Sequence, residues 1–226
     1  MKILVIVLVF LAWFVAPANA DFDAGMAAYQ RGDYVTAFYE WKPLAEQGDA
    51  FAQGWLGHMY DQEKGVPKDL KEAMRWYRLA AEQGDAAAQF NLGHMYVEGE
   101  GAPQDYKEAL RWYRLAAEQG NASAQYNLGF LYGQGEGVPQ DYKEAMRWYR
   151  LAAEQGDANA QSKLGIMYNL GLGIPQNYVQ AHTWFSLAVA QGQKEVSVFR
   201  DSLAKRMTPA QIAEAEKLAR EWKPKK

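Results

Sequence analysis

Hydrophobic and polar positions along this chain repeat with a period of 36 residues. The segment that begins at Asp85 reads DAAAQFNLGHMYVEGEGAPQDYKEALRWYRLAAEQG, and close copies begin at Asp49, Asn121 and Asp157. A unit of this length cannot bury its apolar face alone and must stack on its neighbours. The pattern therefore predicts an all-α fold, a right-handed superhelical α-solenoid of stacked antiparallel helix hairpins with about twelve helices.

Each copy carries start and stop signals for two helices. The first helix is predicted from about Asp85 to Tyr96, with Asp85 as its cap, and Gly84 ends the helix before it. The glycines and the proline of the following linker suit a turn, because glycine permits positive φ and proline cannot continue a helix. A D-x-x-E pattern, Asp105 with Glu108 in this copy, predicts a capping box for the second helix.

These motifs resemble the Sel-one-like repeat (SLR) family, which is related to the tetratricopeptide α-solenoids. The first helix carries Leu-Gly-x-Met/Leu-Tyr, the linker Gly-x-Gly-Val-Pro, and the second helix Ala-x-x-Trp-Tyr-x-x-Ala-Ala. The resemblance covers nearly the whole mature chain, and it implies an adaptor used in complex assembly, envelope function or host interaction. The tetratricopeptide signature has a Trp at one position of the first helix where this chain has glutamine. Those glutamines are Gln53, Gln89, Gln125 and Gln161.

The two ends of the chain depart from the repeat. Residues 22–48 are predicted to form a divergent N-terminal hairpin with a short linker at Arg31-Gly32-Asp33. Thr208-Pro209-x-Gln211 predicts a capping box at the start of the last helix, and the basic tail 223–226 is expected to fray. The predicted domains are a solenoid over 21–192, with repeats 49–84, 85–120, 121–156 and 157–192, and capping helices over 193–222.

Residues 1–20 have the pattern of a secretory signal peptide. Lys2 precedes an apolar run, and Ala18-Asn19-Ala20 forms an A-x-A cleavage site before Asp21. The run is too short for a stable membrane span, so none is expected in the mature chain. Cysteine is absent, which excludes a disulfide framework and thiolate metal sites. The sequence thus predicts an exported bacterial member of the resembled family, periplasmic in the first place, with secretion as the alternative.

Candidate catalytic and metal-binding residues are few. Ser202 begins an S-x-x-K pattern of the kind found in penicillin-interacting enzymes, but no S-D-N or K-T-G companion occurs. His58 and His94 lie one repeat apart, yet the same slot holds Phe130 and Ile166 in the other copies, so it does not demand a metal ligand. We therefore expect no catalytic residues, no metal and no cofactor. A cell-wall or β-lactam-processing hydrolase remains an alternative.

Three residue types recur in every copy, and we expect them to hold the helices together. A glycine inside a helix costs about 1 kcal/mol against alanine, which is explicable if neighbouring backbones approach closely there. The recurring residues are the tryptophans Trp76, Trp112, Trp148 and Trp184, the tyrosines Tyr60, Tyr96, Tyr132 and Tyr168, and the glycines Gly57, Gly93, Gly129 and Gly165.

The positions that vary between copies gather on one face of the first helix, here called the inner face. In the copy from Asp49 they are Phe51, Gly54, Trp55, His58, Asp61 and Gln62, spaced i, i+3, i+4, i+7, i+10 and i+11. In the resembled family this face lines a concave groove. Aromatic rings beside amides suit contact with a protein or peptide, and the alternative is that the rings only wedge between adjacent repeats. The predicted partner-binding residues are Trp55, His58, Phe90, Asn91, His94, Tyr126, Asn127 and Phe130.

The second helix presents a basic outer face. These cations could attract an anionic polymer, so a polyanion-binding module is a further alternative. A glutamate lies three residues before the first arginine and four after the last in each copy, which favours a solvated, salt-bridged face instead. The cations are Lys71, Arg75 and Arg78, Lys107, Arg111 and Arg114, and Lys143, Arg147 and Arg150.

The favoured prediction is a non-catalytic scaffold or adaptor of the bacterial cell envelope or secreted space. It is expected to bind a partner protein or peptide in its concave groove. Nucleic acid is not an expected partner, because the protein is predicted to be exported and carries a net charge of −3. The sequence leaves the oligomeric state open.

Overall fold

The computed structural model describes residues 21–225, so the predicted signal peptide lies outside the described residues. Within that range the chain is helical and contains no β-strand. The predicted all-α solenoid is confirmed. A short 3-10 helix, Lys194–Val196, follows the tenth α-helix. The α-helices are α1 (Phe22–Gln30), α2 (Tyr34–Glu46), α3 (Ala50–Asp61), α4 (Leu70–Glu82), α5 (Ala86–Glu98), α6 (Tyr106–Glu118), α7 (Ala122–Gln134), α8 (Tyr142–Glu154), α9 (Ala158–Leu170), α10 (Tyr178–Ala190), α11 (Ser197–Ala204) and α12 (Pro209–Glu221).

Helices pack mainly on their neighbours in the sequence. The hairpins α3–α4, α5–α6, α7–α8 and α9–α10 follow one another, and the second helix of each contacts the first helix of the next. The α1–α2 hairpin packs on α3 in the same way. Such stacking buries one continuous core through contacts between adjacent units.

The recurring tryptophans join each hairpin to the one before it. Trp76 of α4 is buried in one cluster with Trp41 and Ala45 of α2. Trp112 of α6 is buried with Ala80 of α4. This confirms the expectation that these residues hold the helices together.

The glycine inside each first helix receives an aromatic ring from the second helix of its own hairpin. A Cβ atom at Gly57 would lie 2.6 Å from Cδ1 of Tyr77. Gly165 faces the ring of Phe185 in the same manner. We expected these glycines to allow two helix backbones to approach closely. The expectation is wrong, because the space beside each glycine is filled mainly by an aromatic ring.

In the first three repeats a buried glutamine ties the first helix to both of its neighbours. Gln89 of α5 donates from Nε2 to the carbonyl oxygen of Ala81 at 3.0 Å. Its Oε1 accepts from Nε2 of Gln119, just after α6, at 2.8 Å. Gln53 and Gln125 repeat this arrangement. In the fourth repeat the Oε1 atom of Gln161 has no hydrogen-bond partner within the described range.

The second helices have half of the predicted capping box. Asp105 accepts hydrogen bonds from the backbone N–H groups of Lys107 and Glu108, at 2.9 and 3.2 Å. The Glu108 side chain does not complete the box, because it pairs with Arg111 at 3.3 Å. The N–H of Asp105 donates instead to the carbonyl oxygen of Tyr96 at 2.9 Å, which closes the linker. The first helix also continues to Glu98, two residues beyond the predicted end.

The C-terminal helices close the end of the solenoid. α12 packs on α10, where Thr183 Oγ1 donates to the carbonyl oxygen of Ala215 at 3.3 Å. The predicted capping box of Thr208 with Gln211 is confirmed.

The basic tail lies outside α12, which ends at Glu221, and the expected fraying stays a prediction. Lys225 contacts the end of α8. Its backbone N–H donates to the carbonyl oxygen of Glu154 at 2.7 Å, and its Nζ lies 2.9 Å from the Glu154 carboxylate. Since Glu154 ends a second helix, the tail lies away from the inner face.

Candidate protein-binding groove

The eight predicted binding residues lie along the inner face of α3, α5 and α7. Two cavities open between these helices, here called the first and second cavities. Trp55, His58 and Asn91 line the first cavity, of about 350 Å³, between α3 and α5. The second cavity, of about 230 Å³, lies between α5 and α7. It is lined by four of the predicted residues, His94, Tyr126, Asn127 and Phe130.

The N-terminal hairpin positions Trp55 and His58 at the first cavity. The Trp55 ring lies 5.1 Å from the Trp41 ring and 4.9 Å from the Tyr29 ring, measured between centroids. The Tyr29 hydroxyl is 2.9 Å from Nε2 of His58. Burial lowers the pKa of His58 below its ordinary value, so its imidazole is uncharged near neutral pH. Both side chains are thus fixed from behind by aromatic contacts.

The aromatic rings of the inner face pack on the second helix of their own hairpin. Phe90 lies 5.8 Å from the ring of Tyr113, and Tyr126 lies 5.6 Å from the ring of Tyr149. Both inner-face rings remain half-buried. Each ring thus contacts its own hairpin, and part of it stays accessible. Phe90 belongs to the inner face but lines neither of the two cavities.

Two further tyrosines line the cavities, and the sequence interpretation assigned them no role. Tyr77 lines the first cavity and Tyr113 the second, each buried against a helix glycine. Burial raises the pKa of both hydroxyls well above the ordinary value, so they stay protonated. The sequence feature that could have indicated their role is the Trp-Tyr pair that recurs in the second helix. In the fourth repeat the tyrosine of this pair is replaced by Phe185.

Three of the nine cations of the outer face form ion pairs with a glutamate. Arg111 pairs with Glu108 at 3.3 Å, and its guanidinium lies 4.4 Å from the centroid of the Trp112 ring. Arg75 and Arg147 have equivalent contacts. The predicted pairing of a glutamate with the arginine three residues later is confirmed. One arginine in each of the first three repeats is thus paired with a carboxylate, whereas Lys71, Lys107 and Lys143 form no ion pair among residues 21–225.

The second predicted pairing on that face is wrong. Within residues 21–225, no ion pair joins Arg78 to Glu82, four residues later. Arg78 instead donates to the Tyr96 hydroxyl of the next repeat at 2.7 Å, and Arg150 donates to Tyr168 at 2.8 Å. These arginines thus connect repeats.

The catalytic and metal alternatives find little support in the geometry. Ser202 is exposed on α11, and Lys205 is exposed just after the end of this helix. In the described part of the chain no hydrogen bond joins their side chains. His58 and His94 line different cavities. No group of three or more His, Asp or Glu side chains among residues 21–225 could hold a metal ion. None of the described helices is long and apolar enough to cross a membrane.

The stacked hairpins, their ring-filled helix glycines and the open inner face define a tetratricopeptide-like α-solenoid. A sequence model of the Sel1 repeat matches residues 50–85, 86–121, 122–157 and 158–193. The chain belongs to the Sel1 repeat family. Proteins of this family generally serve as protein-interaction scaffolds, and the fold is typically non-catalytic.

Solved structures of other Sel1 repeat proteins are similar to this chain. One from Oxalobacter formigenes has 33% identity and a TM-score of 0.78, and the match covers 90% of this chain and 86% of that one. The protein c5321, a protective antigen present in uropathogenic Escherichia coli strains, has 36% identity and a TM-score of 0.77 over 88% of this chain. The match spans 45% of c5321.

More distant similarity extends to Klebsiella pneumoniae. A Sel1 repeat protein from this organism has 21% identity and a TM-score of 0.51 over 81% of this chain and 91% of its own length. At this identity the similarity shows the fold alone. No curated protein sequence matches this chain.

Proposed function

We propose that this protein is a non-catalytic scaffold of the bacterial cell envelope that binds a partner protein or peptide along its inner face. The observation that carries the proposal is the row of aromatic and amide side chains on α3, α5 and α7, with two cavities open between them. Aromatic rings supply large contact area with few rotamers, and amides supply hydrogen bonds at the edges.

The proposed site is pre-organised for binding. Trp55, Phe90 and Tyr126 are held by rings behind them, so a partner would immobilise few side chains on binding. His94 is exposed at the opening of the second cavity. The docked tail at Glu154 lies on the other side and leaves this face uncovered by residues 21–225.

The location in the envelope rests on sequence and on one relative. Export is supported by the signal-like segment 1–20, and the absence of cysteine suits a bacterial periplasm better than a eukaryotic extracellular space. The first helix begins at Phe22 with Asp21 as its cap, directly after the proposed cleavage site. The similar c5321 is a protective antigen, which agrees with an exported location for this chain. Cell fractionation and the N-terminal mass of the mature protein test this; a cytoplasmic protein that retains residue 1 would refute it.

The binding face can be tested by site-specific photocrosslinking in the native cell. A photoreactive residue at His94 should capture a defined partner, because this exposed side chain lines the second cavity. The matched control carries the photoreactive residue in place of Lys107, which is exposed on the outer face. Capture from both positions alike, or from neither, would contradict the proposal. Replacing Asn127 and Phe130 with Ala should abolish the capture at His94, while circular dichroism confirms that the solenoid remains folded.

A further inference from the structure

The first cavity combines aromatic rings with a single charge. Phe51 and Trp55 of α3 and Tyr77 of α4 contribute the rings, and Asp85, the cap of α5, contributes a carboxylate. Among the described residues that line this cavity, Asp85 is the one fully charged side chain. His58 adds no positive charge near neutral pH, because burial lowers its pKa. The cavity is therefore apolar, aromatic and negative.

The Asp85 carboxylate is available for a ligand. One oxygen, Oδ1, accepts from the backbone N–H of Ala88 at 2.6 Å. No lysine or arginine within residues 21–225 forms an ion pair with Asp85. The same oxygen would lie 3.9 Å from a Cβ atom at Gly54, so the carboxylate lies at the edge of α3 that forms the cavity. A half-buried carboxylate without a cationic partner favours a positively charged ligand.

The aromatic side chains have the character that recognises cations. A cation within about 6 Å of a ring centroid is attracted by the negative face of the ring, and aromatic cages bind ammonium groups in this way. The chain provides its own example on the inner face: Nζ of Lys163 in α9 lies 6.0 Å from the centroid of the Phe130 ring in α7. Phe51 is 65% exposed, so its ring is accessible to a ligand.

The charge of the two faces differs in sign. Inner-face positions carry two acids, Asp61 and Glu98, against one base, Lys163. The second cavity repeats the chemistry of the first, since Glu98 lines it together with Tyr113, Tyr126 and Phe130. Opposite charge on a partner segment would steer it to this face rather than to the basic outer face.

We propose that the inner face binds a basic segment of the partner protein and that an arginine or lysine side chain of this segment enters the first cavity. The cation lies against the rings of Phe51 and Trp55 and pairs with the Asp85 carboxylate. This inference rests on the proposed function, and it adds the chemistry of the partner.

The test uses small probes, so that it does not require the partner. Binding of N-acetyl-arginine amide and N-acetyl-citrulline amide to the mature chain is followed by the NMR shift of the Trp55 indole N–H. The two probes have nearly the same shape, but citrulline is uncharged. We expect the arginine probe to shift this signal in a saturable way and the citrulline probe to bind at least about fivefold more weakly. Equal binding of both, or no binding of arginine, would overturn the inference.

A matched pair of variants locates the binding. Asp85→Asn removes the charge and retains the helix cap, since Asn121 caps α7 in the same position. It should weaken the arginine probe about fivefold. Asp157→Asn removes the same charge from the cap of α9, which does not line the cavity, and should leave binding unchanged. Equal weakening in both variants would show only a general charge effect and refute the site.

The outcomes separate this inference from the proposed function. If photocrosslinking at His94 captures a partner but the arginine and citrulline probes behave alike, the inner face binds proteins and the cationic inference fails. If the arginine probe binds through Asp85 but no partner is captured from the inner face, the cavity recognises cations and the scaffold proposal fails.

Discussion

Gly93 of α5 lies under the ring of Tyr113 of α6, and a Cβ atom at position 93 would come within 2.7 Å of Cδ1 of that ring. A contact this short cannot be accommodated without moving the ring or the helix. The glycine therefore sets how closely the two helices of a hairpin pack, which is the unit from which the inner face is built.

Gly93→Ala should destabilise the protein by about 1–3 kcal/mol, because overpacking outweighs the gain of about 1 kcal/mol in helix propensity. Urea unfolding followed by circular dichroism measures the effect. The control is Gly133→Ala in α7, where the added Cβ would be 3.6 Å from Cβ of Ala145, an ordinary contact. The control should be neutral or stabilising by up to about 1 kcal/mol. Equal effects of the two substitutions would contradict this account of the glycine.

Gln89→Leu should cost about 1–3 kcal/mol, since it removes two buried hydrogen bonds, one to the carbonyl of Ala81 and one from the amide of Gln119. The corresponding Gln161 makes one of these two bonds, because its Oε1 lacks a partner in the described part of the chain. Gln161→Leu should therefore destabilise the protein by about 1 kcal/mol less than Gln89→Leu does. Thermal unfolding of both variants provides the comparison. A larger loss of stability for Gln161→Leu than for Gln89→Leu would show that the hydrogen bond from Gln119 to Gln89 Oε1 contributes little.

The buried tyrosines should make the protein sensitive to alkaline pH. Burial raises the pKa values of Tyr77, Tyr113 and Tyr149 in the folded state, whereas in the unfolded chain tyrosine ionises near pH 10. Above about pH 10 the folded state thus binds more protons than the unfolded state. Stability is fully present below that pH and falls as pH rises, by about 1.4 kcal/mol per pH unit for each tyrosine.

Replacing these three tyrosines with phenylalanine should remove most of that loss. Phe185 fills the same slot in the fourth repeat, so the ring without a hydroxyl fits. Urea unfolding at pH 8 and at a series of alkaline values measures the slope for both proteins. An unchanged slope in the triple variant would assign the alkaline sensitivity to other groups.

The outer-face ion pairs should contribute little to stability. The side chains of Arg111 and Glu108 are 58% and 39% exposed, and pairs of this kind contribute about 0–1 kcal/mol. Arg111→Ala should lie in that range, with part of the effect from its contact with Trp112. Trp112→Ala, by contrast, empties a buried site between hairpins and should cost about 3–5 kcal/mol. If the arginine variant lost as much as the tryptophan variant, the face would be structural rather than solvated.

The candidate site was predictable in part. Helical spacing correctly placed Trp55, Asn91 and Asn127 on one face, because side-chain direction along a helix follows from sequence position alone. Whether these residues bind a partner stays a prediction. The spacing could not show that Tyr77 and Tyr113 reach the cavities from the second helix, since this depends on the packing of one helix against another.

The sequence by itself determined the repeat, the helical hairpins, the aspartate caps and the glycine turns, because each follows from contacts within a few residues of the chain. Only the tertiary structure decided which group each side chain meets across larger separations. Arg78 bonds to Tyr96 rather than to Glu82, and Lys225 docks on Glu154. These partners lie 18 and 71 positions apart, and several groups compete for each charge. Which group binds each charge depends on distances that are fixed only when the hairpins stack.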